Sequence, residues 1–244
     1  MRPTELPENS ELHPFQRSGG QRLRNFSSQE FQLHNALIRT GEFESCTFER
    51  GNFAETIFED VKFINCKFVN CNFDSTTFLR SKFSETSFES CALQTIKCVN
   101  SEFFNVNINT SNIGTSLIDD SCFEDCTLES LDFSNTDLRQ LKFIRCNLKD
   151  TNFGVVHAPN FDFSYSQMAG AILAGFRVPI ETPNRKLRYT GPSANLQNVK
   201  FIGSNLEHAN LSFSILDGAD FTGANLTDAS LVGARWNEQT RFPE

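Results

Sequence analysis

Between residues 43 and 88 every fifth position is phenylalanine: Phe43, Phe48, Phe53, Phe58, Phe63, Phe68, Phe73, Phe78, Phe83 and Phe88. Two residues before each ring stands a small or slim side chain, in order Gly41, Cys46, Gly51, Thr56, Val61, Cys66, Cys71, Thr76, Ser81 and Thr86. A period of five fits neither the 3.6 of a helix nor the 2.0 of an ordinary strand. A unit of five residues cannot bury its own ring. It can do so only by stacking on copies of itself, which is the logic of a repeat architecture.

The same phase holds from Leu33 to Leu173, through Leu93, Cys98, Phe103, Ile108, Ile113, Ile118, Phe123, Leu128 and onward. A second layer appears at every fourth unit, where Phe43, Phe63, Phe83, Phe103, Phe123, Phe143 and Phe163 recur. Four units per turn would put these seven rings in one interior column. An inward ring leaves room for only a slim neighbour in the same cross-section. That accounts for the Gly, Ala, Ser, Thr, Cys and Val of the small slot.

From Leu173 to Leu196 the phase breaks. The stretch carries Pro179, Pro183 and Pro192, poor fits to a regular ladder. Phe176, Val178 and Ile180 alternate before Thr182-Pro183-Asn184, and Leu187 and Tyr189 follow, predicting a loop or small hairpin. It is basic, with Arg177, Arg185, Lys186 and Arg188 against Glu181. The five-residue phase then resumes at Leu196 and runs through Phe201, Leu206, Leu211, Leu216, Phe221, Leu226 and Leu231 to Trp236.

Late in the chain the units read Ala209-Asn210-Leu211, Ala219-Asp220-Phe221, Ala224-Asn225-Leu226 and Ala229-Ser230-Leu231. These resemble the pentapeptide-repeat family, whose consensus is A(D/N)LXX with Leu or Phe at the centre. The resemblance covers roughly residues 31 to 236 and implies an all-β fold, a right-handed quadrilateral β-helix (a pentapeptide-repeat solenoid). About 9–10 coils are expected, with one projecting loop or hairpin. The expected division is a flexible leader at 1–25, a first β-helix block at 26–173 and the projecting basic segment at 174–195. A second block at 196–236 and a C-terminal cap at 237–244 complete it.

Composition narrows the function classes. The 22 basic and 30 acidic residues give −8, so a basic nucleic-acid footprint is missing and direct nucleic-acid binding is not expected. No apolar run approaches the roughly 18 residues of a membrane span. The opening MRPTELPENSELHPFQRSGG lacks the apolar heart of a secretory signal, so a cytoplasmic location is the default and a non-cleaved export signal the alternative. Of the eight cysteines, Cys46, Cys66, Cys71, Cys91, Cys126 and Cys146 occupy the small slot, Cys98 a central slot and Cys122 another position. They read as reduced packing thiols. Stacked parallel side chains disfavour disulfides, and no zinc ligand set is completed.

No catalytic constellation emerges, and neither a cofactor nor a metal is expected. His13 lies in the leader, and His34, His157 and His208 fall in outward positions far apart in sequence. Charge offers candidates for a protein partner. Residues 101–140 hold Glu102, Asp119, Asp120, Glu124, Asp125, Glu129, Asp132 and Asp137 against Arg139 alone, which predicts an acidic band. The candidate partner-binding residues are therefore Asp119, Asp120, Glu124, Asp125 and Glu129 in that band, with Arg177, Arg185, Lys186, Arg188 and Tyr189 in the basic segment. The primary expectation is a non-enzymatic scaffold or adaptor. The family resemblance implies two alternatives: a DNA-mimic inhibitor or protector of a type II topoisomerase, and a bacterial effector acting as a linker in a host cell.

Overall fold

The computed structural model describes residues 16–17, 22–109, 111, 113–134, 136–175, 178–181, 187–190 and 193–244. They form a four-sided parallel β-solenoid with no helix among the described residues. One face starts at Arg22–Arg24 and adds Glu42–Glu44, Lys62–Ile64, Lys82–Ser84, Glu102–Phe104, Cys122–Glu124 and Lys142–Ile144 as a seven-stranded parallel sheet. Bridges from Lys142 to Asp162, Lys200, Asp220 and Arg241 carry that column on, for ten steps in all. A second seven-stranded and a five-stranded sheet form two more faces. Bridges such as Gln32–Asn52–Asn72–Ala92 form the fourth.

The sheets thin out toward the C-terminus, and the residue before each central position explains much of it. Where it is Asn or Asp, its side-chain oxygen commonly accepts the backbone N–H two residues on, as in Asn52–Ala54 (3.1 Å), Asn152–Gly154 (2.9 Å) and Asn210–Ser212 (3.0 Å). This Asx turn competes with an extended strand. Up to Lys142, a Lys, Thr, Ser or Glu in that slot opens a three-residue strand, as in Lys62–Ile64 and Thr77–Leu79, with Thr127 the exception. Asn107 and Asp137 also depart from the pattern and open strands. The Asp137 carboxylate is taken up by Arg139, whereas the Asn107 side-chain oxygen is buried without a partner.

Most corners are made the same way. Thirty described non-glycine residues, each two places after a central residue, have φ between 44° and 64°. The left-handed region costs a non-glycine residue roughly 1–2 kcal/mol. In return the corner N–H enters the ladder: Asn65 donates to the Ser84 carbonyl and Arg80 to that of Val99, both at 2.9 Å. Val155, β-branched at φ 59°, is the least suited occupant.

The interior is a packed column of rings. Phe43, Phe63, Phe83, Phe103, Phe123, Phe143 and Phe163 stack at centroid distances of 4.4–5.5 Å when continued to Phe201. Phe221 and Phe242 extend the stack. The small slots are also the polar fasteners of the core. Thr76 donates to the carbonyl of Phe53 (2.8 Å), Ser166 to that of Phe143 (2.7 Å) and Ser204 to that of Phe163 (2.6 Å). Ser166 Oγ also accepts the Cys146 N–H at 3.0 Å. Ser166→Ala therefore strands a buried donor and acceptor together and should cost about 1–3 kcal/mol. Urea unfolding would measure it, and a change below about 0.5 kcal/mol would contradict this wiring.

The solenoid begins earlier than expected. Arg22–Arg24 pairs with Glu42–Glu44, and Gln16–Arg17 pairs with Leu37–Ile38, both inside the segment read as a leader. The rest of that leader, residues 1–15 and 18–21, lies outside the described residues. In the first turn the two slots exchange roles. Ser28 takes a central position, while Phe26 and Phe31 fill small slots and pack on Phe48 at 5.8 and 5.1 Å. At the other end Phe242 stacks on Phe221, and Thr240 Oγ1 donates to the Leu216 carbonyl at 2.8 Å.

The phase break is an excursion within one turn. His157 bridges Asn195, 38 residues on, where every other turn takes about 20, and the ladder then resumes in the same columns. The extra residues include an antiparallel hairpin, Val178–Glu181 paired with Leu187–Thr190.

Candidate functional site

Interior and surface divide the chemistry sharply. A void among the central rings has a volume of about 20 Å³. It lies where Leu93, Cys98, Ile108, Ile113 and Ile118 replace phenylalanine. An apolar space of that size holds at most about one water. Among the described residues, titratable groups other than the thiols face outward.

The acidic segment does not form one acidic face. Each turn distributes its charges around four sides, and bases from neighbouring turns meet them. Arg145 sits between Glu124 and Asp125, with its Nε 2.8 Å from Asp125 Oδ1. This hydrogen-bonded guanidinium holds the Asp125 carboxyl below its ordinary range. Lys82 reaches Glu102 at 2.7 Å, Arg139 pairs with Asp137, and Lys149 stands 4.0 Å from Glu129. Asp119 lies in register between Val99 and Arg139. Asp120 occupies a left-handed corner and lines a shallow surface groove with Asn100, Glu102, Cys122, Gln140 and Lys142. Sequence reading summed these charges along the chain; the coil disperses them.

Of the basic candidates, Arg177, Arg185 and Lys186 lie outside the described residues. Arg188 and Tyr189 belong to the second hairpin strand, where Arg188 pairs with Ile180 and Tyr189 with Pro179. The seven column phenylalanines expected inside are all buried.

A surface that sequence reading missed lies on the face whose central residues include Leu33, Phe53, Phe73, Phe133, Phe153, Leu173, Leu211 and Leu231. Among its described outward residues there is no Lys or Arg. From Asn152 onward it carries no charge at all: Asn152, Gly154, Val155, Ile172, Ala174, Gly175, Asn210, Ser212, Phe213, Ser230, Val232 and Gly233. Val155, Ile172 and Val232 are exposed there, with Val232 at 66%. The signal becomes visible in the sequence only once the outward slots are sorted by face.

All eight cysteines are free thiols, seven of them buried and Cys122 partly exposed. Burial pushes the Cys98 thiol up to about 12. In the stacked pairs, the neighbouring thiol and then burial raise Cys66, Cys91 and Cys146 above the ordinary thiol range. Among the described residues no helix is long and apolar enough to cross a membrane.

A family model described as a pentapeptide repeat region matches residues 41–118, and one described as pentapeptide repeats (8 copies) matches 121–154 and 194–233. Among curated proteins none matches the sequence significantly. Similar solved structures include HetL, a pentapeptide repeat protein involved in heterocyst differentiation regulation from the cyanobacterium Nostoc sp. strain PCC 7120. It is 17% identical, with 90% of this chain and 89% of that chain covered and a TM-score of 0.43. Full-length QnrB1, a plasmid-mediated fluoroquinolone resistance protein, is 13% identical over 90% of this chain and 94% of that one, with a TM-score of 0.37. Rfr23 from the cyanobacterium Cyanothece 51142 is 22% identical over 52% and 63%, with a TM-score of 0.26. Identities this low transfer no function.

Proposed function

The chain belongs to the pentapeptide-repeat family, and from that premise we propose that it is a non-catalytic rod that binds another protein through its outer faces. The observation that carries this reading is the uncharged face with Val155, Ile172 and Val232 exposed on a molecule of net charge −8. Exposed apolar residues grouped on one face mark interaction surfaces more often than singly scattered ones do. The coil is interrupted between Gly175 and Ala194, at the edge of the same face, and the sequence there carries Arg177, Arg185, Lys186 and Arg188, which would supply a second contact. Irregular excursions on rigid scaffolds often carry recognition.

Two variants test the reading in a pull-down from the native cell. Ile172→Lys with Val232→Lys, and separately Arg185, Lys186 and Arg188 to Ser, should each lose a captured partner with thermal stability unchanged. An unchanged set of partners in both would reject it. The DNA-mimic alternative draws on Asp119, Asp120 and Glu124, but it needs acids gathered on one side. Inhibition of gyrase supercoiling that disappears in Asp119→Asn with Asp120→Asn would favour that alternative over the adaptor.

A further inference from the structure

Six of the eight thiols form three vertical pairs: Cys46 with Cys66, Cys71 with Cys91, and Cys126 with Cys146. The backbone fixes their geometry. Lys67 N–H donates to the Cys46 carbonyl (2.8 Å), Ala92 N–H to that of Cys71 (2.9 Å) and Asn147 N–H to that of Cys126 (2.8 Å). The two members of a pair therefore sit on adjacent rungs of one parallel ladder, about 4.8 Å apart, with side chains leaving in the same direction. Each sulfur also contacts a carbonyl of the preceding turn, as Cys66 does Phe43 (3.3 Å), Cys71 Phe48 (3.3 Å) and Cys146 Phe123 (3.4 Å).

The rung spacing lies inside the Cα range of a disulfide, but side chains leaving in parallel disfavour that bond, and forming it would pull both sulfurs away from these carbonyls. A metal–thiolate bond is about 2.3 Å, so two in line span about 4.6 Å, close to the spacing the ladder imposes. Thiolate ligands select soft cations, copper(I) among them. Harder ions want more donors, and among the described residues no group of three His, Cys, Asp or Glu converges. We propose that the three stacked thiol pairs are two-coordinate sites for copper(I), one ion to each pair. Uptake is a ligand exchange without redox change: one Cu(I) replaces two S–H protons, which leave to solvent, and the two sulfurs share the remaining negative charge. Binding should accordingly weaken as pH falls. This inference is independent of the protein-binding reading.

The test is an anaerobic titration of the reduced full-length protein with copper(I) in competition with a chromogenic copper(I) chelator, followed by far-UV circular dichroism. Three equivalents should be retained with the β signal unchanged. Cys66→Ser, Cys91→Ser and Cys146→Ser should each remove one equivalent. Serine already fills this slot at Ser81, Ser101 and Ser166, so these variants keep the fold. Cys98→Ser and Cys122→Ser should remove none. No retained copper, copper that follows Cys122, or binding that requires loss of the β signal would each overturn the proposal.

Discussion

Phe143→Ala is expected to destabilise the protein by about 3–5 kcal/mol, the range for a large ring removed from a well-packed core. Phe143 is fully buried. It stacks between Phe123 at 5.0 Å and Phe163 at 5.3 Å, and meets Phe133 and Phe153 edge-on at 6.2 and 5.9 Å. Truncation removes all of these ring contacts together. The ladder holds the backbone on both sides, so the walls cannot close on the space left. Urea denaturation gives the measurement, and a loss below about 1 kcal/mol would mean that the ring column is not what supports the coil.

The second large effect concerns register. Deleting residues 62–81 removes one complete turn and joins Val61 to Lys82, bringing Phe43 to Phe83 and Phe48 to Phe88 in unbroken columns. The shortened chain should stay folded with the same β signal per residue, because each turn contacts only its neighbours. Deleting Lys62 alone removes an exposed side chain, yet leaves that turn one residue short, so its buried rings cannot all stay in their columns. That loss should exceed about 4 kcal/mol, well above the effect of an ordinary surface change. Equal stability of the two deletions would contradict a coil of fixed length.

The ring columns and slim slots were legible because a five-residue period is visible wherever Phe and Cys mark it. Legibility ended where that contrast ended. The sequence pattern places the start of the first turn late, at residue 26, because Ser28 stands at a centre and Phe26 and Phe31 stand in slim slots, the reverse of the usual order. The corners left only a partial compositional trace: many are Asn, Asp or Gly, yet Arg50, Glu55, Thr95 and Val155 also adopt φ above 50°, where no propensity rule would choose them. Tertiary ladder bonds decide there. Acidic residues 101–140 gather on no single face because adjacency along the chain is not adjacency on a four-sided coil. Glu124 and Asp125 meet Arg145, a turn away, before they meet Asp119.

Because the chain leaves the ladder after Gly175 and rejoins it at Ala194 in the same columns, the length of that excursion is decoupled from the rest of the architecture. Selection could lengthen, trim or recode the hairpin without disturbing a single stacked ring. The same freedom would let an engineer install a foreign epitope there and present it from a stiff, ready-made mount.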